Sequence, residues 1–482
     1  MGVTELRDLD AVVSRLVERA AGDCDVRRLG VVEPAHVDPA AAIAEALAHP
    51  VGAPPLRELA RGQRRVVIIT SDVTRPVPSH ALIGPVMAEL EAAGVGAADV
   101  DVVIGGGAHR PASPDEIVRL LVEDWASRLR VHCHDARAGD LVSLGATPAG
   151  TRLLVDPRVA AADLRLSFGQ VEPHEFAGFT GGRKSILPAV AGLTSILANH
   201  SIANLSHPGA RPGVLEGNPI HEDMVAAARI ARLDFVVNVV MGGDLKALAV
   251  AAGDPEAAHE KLVAFVRRFA QLEPLAGPVD VIVTGPGAPL DINLYQSAKP
   301  LVGLQPLVEV MAARARGDTA GEAWRPPVVV LLSSCREGTG SDEMLQPFKG
   351  ARDAREVLAR LGDRYTVEMN ESFSIARFLT ICPRVVACCP GVADAVLRRV
   401  FFTPAPTPEA ALDTALGIAG FGSARAASAS ASRRPGVVFF PRAHRALFVG
   451  ASGATRTGGA TGTGGATGTG GATRTGGASP GP

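Results

Sequence analysis

The chain has 482 residues, 47% of them hydrophobic, which is enough apolar surface for two or three packed domains. Lysine and arginine total 48 against 50 aspartate and glutamate, a formal net charge of -2, so there is no electrostatic footprint for nucleic acid or an anionic membrane, and small molecules are the expected partners. No apolar run reaches the roughly eighteen residues of a membrane span, and the charged residues 1–12 lack the apolar stretch of a signal peptide, so a cytoplasmic location is expected.

In chain order, β-branched runs predict strands over 65–70, 100–104, 129–133 and 164–168, with helical periodicity over 79–93 and 114–125 between them. A helix over 255–272 is stopped by Glu-Pro-Leu-Ala-Gly-Pro, which sets a domain junction near Pro274. A second series follows: strands over 279–284, 327–332, 384–389 and 437–440, and helices over 299–316 and 351–361. This alternation predicts an α/β protein of two doubly wound domains with mainly parallel sheets, residues 1–274 and 275–450, and an active-site cleft between them. Past Gly450 the hexapeptide Gly-Ala-Thr-x-Thr-Gly repeats over 453–476. Such a segment buries no apolar area, so 451–482 reads as a disordered tail without catalytic role.

Six cysteines are scattered without Cys-x-x-Cys spacing and read as buried thiols. Only five of the 48 basic residues are lysine: Lys184, Lys246, Lys261, Lys299 and Lys349. Where arginine is the default cation, a retained lysine marks a place that needs an amine.

Ligands of open parallel sheets sit beyond the carboxyl ends of the strands. There the chain carries Asp72-Val73-Thr74-Arg75-Pro76, then Gly105-Gly106-Gly107-Ala108-His109-Arg110-Pro111, then the segment from Gln170 through His174 and Gly181-Gly182 to Lys184, and in the second series Tyr295-Gln296-Ser297-Ala298-Lys299. These loops offer an arginine that can grip a carboxylate, two histidines that titrate near neutrality, and a Gly-Gly turn through which backbone amides could approach a phosphate: an anion site with acid/base capacity. Neither a Walker loop nor Gly-x-Gly-x-x-Gly is present, which excludes a conventional ATPase or NAD dehydrogenase. His132-Cys133-His134 lies at a strand end and reads as structural.

Asp-x-Thr-Arg-Pro, Gly-x-x-His-Arg-Pro, Pro-His-x-x-Ala-Gly-Phe-x-Gly-Gly-x-Lys, Leu215-Glu216-Gly217-Asn218-Pro219, Ala-Asn-His-Ser and Gln-x-x-Lys occur in order. Together they resemble the lactate racemase family that uses a nickel-pincer nucleotide. The resemblance implies a racemase or epimerase of a small 2-hydroxy acid working by reversible hydride transfer through a 2-keto acid. Its cofactor would be Ni(II)-pyridinium-3,5-bisthiocarboxylic acid mononucleotide. Lys184 would meet the nucleotide, and His200 would give Ni(II) an imidazole that completes the square-planar geometry the metal favours. Asp72, Val73, Thr74 and Arg75 would form a loop for cofactor and substrate, and Arg75, Tyr295, Gln296 and Lys299 would hold the substrate. His109 and His174 would be the acid/base pair, one on each side of the reacting carbon. Cofactor-biosynthesis proteins become possible partners. A non-catalytic carrier of the cofactor is the alternative; it would need Lys184 and His200 but not both His109 and His174. A zinc hydrolase would show ligands in compact helical spacing, and none occurs.

Overall fold

Val66-Val67-Ile68-Ile69 and Val281-Ile282-Val283 are apolar at consecutive positions, so a strand made of them must be covered on both faces. In a computed structural model of the chain they lie at the centre of two six-stranded sheets. The structure describes residues 6, 8–75, 77–273, 275–317, 324–422 and 433–448. The tail read over 451–482, the junction residue Pro274 and loop residue Pro76 lie outside them.

The strands are β1 (Asp25–Arg28), β2 (Val66–Ser71), β3 (Val100–Gly105), β4 (Arg130–Cys133), β5 (Leu164–Gln170), β6 (Phe235–Met241), β7 (Ala247–Gly253), β8 (Val281–Thr284), β9 (Val328–Leu332), β10 (Val385–Cys388), β11 (Phe402–Pro404) and β12 (Gly436–Phe439). The first sheet has the order β7-β6-β5-β2-β3-β4 and the second β1-β12-β8-β9-β10-β11. All pairs are parallel except β6 with β7. In the first sheet the chain runs outward one way through β2, β3 and β4 and the other way through β5 and β6. The loops after β2 and β5 therefore diverge, and a crevice opens between them.

Alternate side chains of each strand enter different cores. Val66, Ile68, Val102 and Val237 pack under the helices Ser79–Ala92 and Pro114–Arg128, while Val67, Ile69, Val103 and Val236 pack against Pro219–Ile230 and Pro255–Ala270. The second sheet is covered likewise by Leu9–Ala20 and Pro408–Ala419 on one face and by Lys299–Gly317 and Asn370–Ile381 on the other. Helix starts follow their caps. Ser113 and Glu116 form a reciprocal box before Pro114, and Asp254 accepts from the amides of Glu256 and Ala257. The helix expected over 351–361 begins three residues later, at Ala354, because Asp353 accepts from the Glu356 amide and caps it there.

Four strands of the two sheets, β1, β6, β7 and β11, fall outside the segments the sequence analysis expects as strands. The polar strand β1 leaves the residues that surround it in sequence and pairs with β12, Asp25 opposite Gly436, so residues 8–28, grouped with 1–274 by sequence, pack with the second sheet. The two sheets pack into one compact unit.

Candidate active site

The first loop is set by Asp72. One carboxylate oxygen accepts from the Thr74 amide (3.0 Å) and hydroxyl (2.6 Å), and the other faces Nδ1 of His109 at 2.8 Å. Burial opposes the charge on Asp72, but the His109 ring and the Thr74 donors outweigh it and hold the carboxyl down at about 2. Gly106 makes the approach possible, since a Cβ there would stand 3.2 Å from the carboxylate. His109 itself keeps 35% of its side chain exposed.

The loop after β5 folds on itself. The Thr180 hydroxyl donates to the Gln170 carbonyl (2.6 Å) and accepts from the Glu172 amide (3.0 Å). Within it, His174 Nδ1 accepts from the amides of Phe176 and Ala177, each at 3.2 Å. The buried Arg183 guanidinium donates to the carbonyls of Ala177, Phe179 and Gly181 and lies 2.7 Å from the His259 ring. Burial without a carboxylate partner pushes it down to about 9. This clamp fixes the turn that carries Lys184, a residue deep in the protein with part of its surface on the cavity. Burial, then the nearby Arg75 and Arg183, push the Lys184 amine well below its ordinary value.

His200 follows the helix Leu193–Asn199. Its neighbour Asn199 donates to Asp223 (2.8 Å) and to the Ile220 carbonyl (3.1 Å), while Asp223 also accepts from Thr147 and Thr151. Nδ1 of His200 is buried without a partner, and burial together with Lys184 drives the ring down to about 3. It is a neutral imidazole with a free lone pair.

From the second sheet, Asn293 caps the short helix Leu294–Ser297 by accepting from the Gln296 amide at 2.9 Å. Gln296 and Lys299 are buried, and Gln296 Oε1 has no partner. Burial and Arg75 lower the Lys299 amine to about 8, against the pull of Glu175, Glu371 and Glu172.

These elements surround one cavity of about 500 Å³. Asp72, Val73, Thr74, Arg75, His109, His174, Lys184, His200, Tyr295, Gln296 and Lys299, every residue singled out from the sequence, line it. A smaller cavity is lined by Arg75, His174 and Lys299 together, so the two sheets' contributions meet there too.

Residues 23–213 match the model of the lactate racemase N-terminal domain. The lactate racemase of Thermoanaerobacterium thermosaccharolyticum is 36% identical over 371 residues, 75% of this chain and 82% of that one. The chain belongs to the lactate racemase family. The lactate racemase of Lactiplantibacillus plantarum is 35% identical over 317 residues, 66% of this chain and 71% of that one. Among solved structures, the lactate racemase apoprotein from T. thermosaccharolyticum superposes with a TM-score of 0.73 at 30% identity, covering 88% of this chain and 94% of that one. A Thermotoga maritima protein at 15% identity and a TM-score of 0.60 shares the fold. As a member of the lactate racemase family the chain is an enzyme of the isomerase class.

Some motif residues of this racemase-family chain do work other than the sequence suggests. Gly181 and Gly182 have φ of +82° and +54°, and their Cβ atoms would strike Val171 (2.9 Å) and the Pro255 carbonyl (3.1 Å). Close packing therefore requires glycine at both positions of the turn. In Leu215-Glu216-Gly217-Asn218-Pro219, Asn218 caps the helix Pro219–Ile230 and donates to the Phe176 carbonyl at 2.7 Å, bracing the His174 loop. His132 pairs with Asp101 and His134 with Asp156, as structural residues do. Five cysteines are buried, but Cys133 is only half-buried because it sits on an edge strand. Among the described residues no helix is long and apolar enough to cross a membrane.

The sequence reading passed over Glu175 and Glu371. Glu175 lines the cavity, and Glu371 is fully buried beside it. Burial, then the charge of Glu175, push Glu371 well above the usual carboxylate range. No motif marks Glu371; only the fold brings it near Lys299.

Proposed function

We propose that the chain racemises or epimerises a small 2-hydroxy acid with a nickel-pincer nucleotide. Lactate, for which its relatives are named, is the first substrate to test. The single observation that carries this reading is that two histidines with different hydrogen-bond settings, a buried lysine whose amine is pushed well below its ordinary value and the neutral imidazole of His200 share one cavity with Lys299 and Gln296.

The residues fit the cofactor. His200 lines the cavity as a neutral imidazole, the form in which a ring nitrogen can serve a metal. Burial and the neighbouring Arg75 and Arg183 lower the Lys184 amine, which favours its meeting, or bonding with, an electrophilic nucleotide. The loop from Asp72 to Arg75 flanks the same space. When bound, the group supplies a hydride acceptor and donor, so that C2 passes through a 2-keto acid. That route suits the substrate, because a carboxylate beside C2 makes its hydrogen a very weak acid.

The protein's own residues do the rest. Lys299 and Arg75 attract the carboxylate, and Gln296 with Tyr295 orients it. His109, with Asp72 behind Nδ1, presents Nε2 to the substrate hydroxyl, and His174 contacts the same oxygen. Burial of this wall excludes water from the keto acid. The test is a panel of chiral 2-hydroxy acids incubated with cofactor-loaded protein and resolved by chiral chromatography. At least one member should racemise. Failure of the whole panel, with nickel and nucleotide bound in stoichiometric amount, would overturn the reading.

A further inference from the structure

Glu175 and Glu371 approach each other from the two walls of the cavity. Glu175 stands between His174 and Phe176 in the loop after β5, lines the main cavity and also borders the smaller one that Arg75, His174 and Lys299 share. Glu371 comes from the helix Asn370–Ile381 of the second sheet and is 0% exposed. The polar group its carboxyl meets is the carboxyl of Glu175. Among the described residues no amide, hydroxyl or guanidinium donates to it. Two facing carboxyl groups are joined by a hydrogen bond only when one of them keeps its proton, since two bare carboxylates would set lone pair against lone pair.

We infer that Glu175 and Glu371 share one proton, held by Glu371, and that the single charge left on Glu175 makes it the residue that keeps a second carboxylate out of the substrate site. The ligand class is then a 2-hydroxy acid with one carboxylate and an uncharged remainder. This rests on the 2-hydroxy acid reading above and narrows it.

The proton belongs on the deeper acid. A place in the first turn of a helix favours a charge on Glu371, and so do Lys299 and Arg75, but burial and the charge of Glu175 oppose it and outweigh them. Tyr295 and Tyr365, which also face the pair, bring no positive charge. Of the other acids nearby, Glu368 is engaged by Arg137, and Glu172 lies 3.7 Å from Arg445.

The cavity's cations explain why one charge on Glu175 matters. Among the described residues, the lysines and arginines that line it are Arg75, Arg110, Lys184 and Lys299. Arg110 is held by Glu116 through bonds of 2.7 and 2.8 Å, and the Lys184 amine is pushed well below its ordinary value. Arg75 and Lys299 remain, and the substrate's first carboxylate takes them. A second carboxylate on the same molecule meets Glu175 with no cation left to answer it, and like charges repel strongly in a site shielded from water. Were Glu371 charged as well, the pair would offset both Arg75 and Lys299, and the site would lose its pull on the first carboxylate. The shared proton prevents that.

Two measurements on the full chain test the proposal. With glutamate labelled with 13C at Cδ, the signal lost in Glu371→Gln should keep the shift of a protonated carboxyl between pH ~6 and ~8, where an ordinary glutamate is ionised. A carboxylate shift there overturns the proposal whether or not the protein is a racemase. In the cofactor-loaded protein, calorimetry compares lactate with malate, which is lactate bearing a carboxylate in place of a methyl hydrogen, and needs no turnover. Malate should bind at least about tenfold more weakly, and Glu175→Gln should bring the two within about threefold. Glu371→Gln, whose amide donates to Glu175 without adding a charge, should keep the wild-type preference. Equal binding of the two acids by the wild type, or a preference untouched in Glu175→Gln, overturns the proposal. Binding as stated by a protein that racemises no 2-hydroxy acid would instead refute the functional reading alone.

Discussion

The two walls of the cavity are built differently. On the wall from the first sheet, burial and neighbouring cations push the Lys184 amine and the His174 and His200 rings well below their ordinary values, and the loops are braced from behind, where Arg183 donates to loop carbonyls and Asn199 to Asp223. On the wall from the second sheet, the Lys299 amine is lowered only to about 8, and Gln296 rides on the short helix Leu294–Ser297 that Asn293 caps. A wall braced by buried side-chain bonds to its own loops is preorganised for a resident group, and a wall that keeps a titrating amine can attract an anion that comes and goes. The difference suits a resident cofactor on one side and a transient substrate on the other.

The largest effect expected is on the first wall. His200→Ala should lose nickel almost completely while the nucleotide is still retained in part, whereas Lys184→Ala should weaken retention of the whole cofactor. Metal and nucleotide analysis after gel filtration separates the two. If both variants keep full metal and full activity, the assignment of that wall is wrong.

On the second wall, Lys299→Ala should raise KM for the 2-hydroxy acid by roughly 10- to 100-fold, the worth of one hydrogen bond to a charged group, with a smaller change in kcat. Lys299→Arg should not restore it, because the buried site is shaped for a compact ammonium. Steady-state kinetics with both variants decides; an unchanged KM in Lys299→Ala removes that residue from substrate binding.

A smaller effect follows from the same lysine. Its amine is lowered to about 8, so it is protonated below that pH and neutral above it. KM should therefore be flat on the acid side and climb as pH rises through about 8, by up to tenfold per unit, and Lys299→Ala should abolish the climb. A KM that falls through this range would show that the charge of Lys299 does not attract the substrate.

How much of this was legible in the chain depended on range. Strands β2, β3, β8 and β9 announce themselves through local β-branched runs, β5 through alternating apolar residues, and Ser113, Asp254 and their followers mark helix starts. β7, Ala-Leu-Ala-Val-Ala-Ala-Gly, has a helix-former composition and becomes a strand only because β6 pairs with it. β1 is four polar-leaning residues whose partner lies at the other end of the chain. The cavity's histidines and lysines stand in recurring segments and could be named from them. Their supporting partners could not. Asp72 with His109 and Asn199 with Asp223 are contacts made across loops, and Glu371, which acts on Lys299 from behind, belongs to a helix with no motif. The backbone donors behind His174 leave no trace in side-chain identity at all.

The central claim, that C2 is inverted through hydride transfer, is tested most directly by the fate of its hydrogen. One enantiomer of a substrate is racemised by the cofactor-loaded enzyme in heavy water, and the product is examined by NMR. A hydride that never becomes a proton does not exchange, and the solvent-derived proton carried by a histidine reaches only oxygen, where the label washes out. The account predicts that the original hydrogen stays at C2 of the product. Stoichiometric deuterium at C2 would mean that a base removes this hydrogen as a proton, and would contradict it.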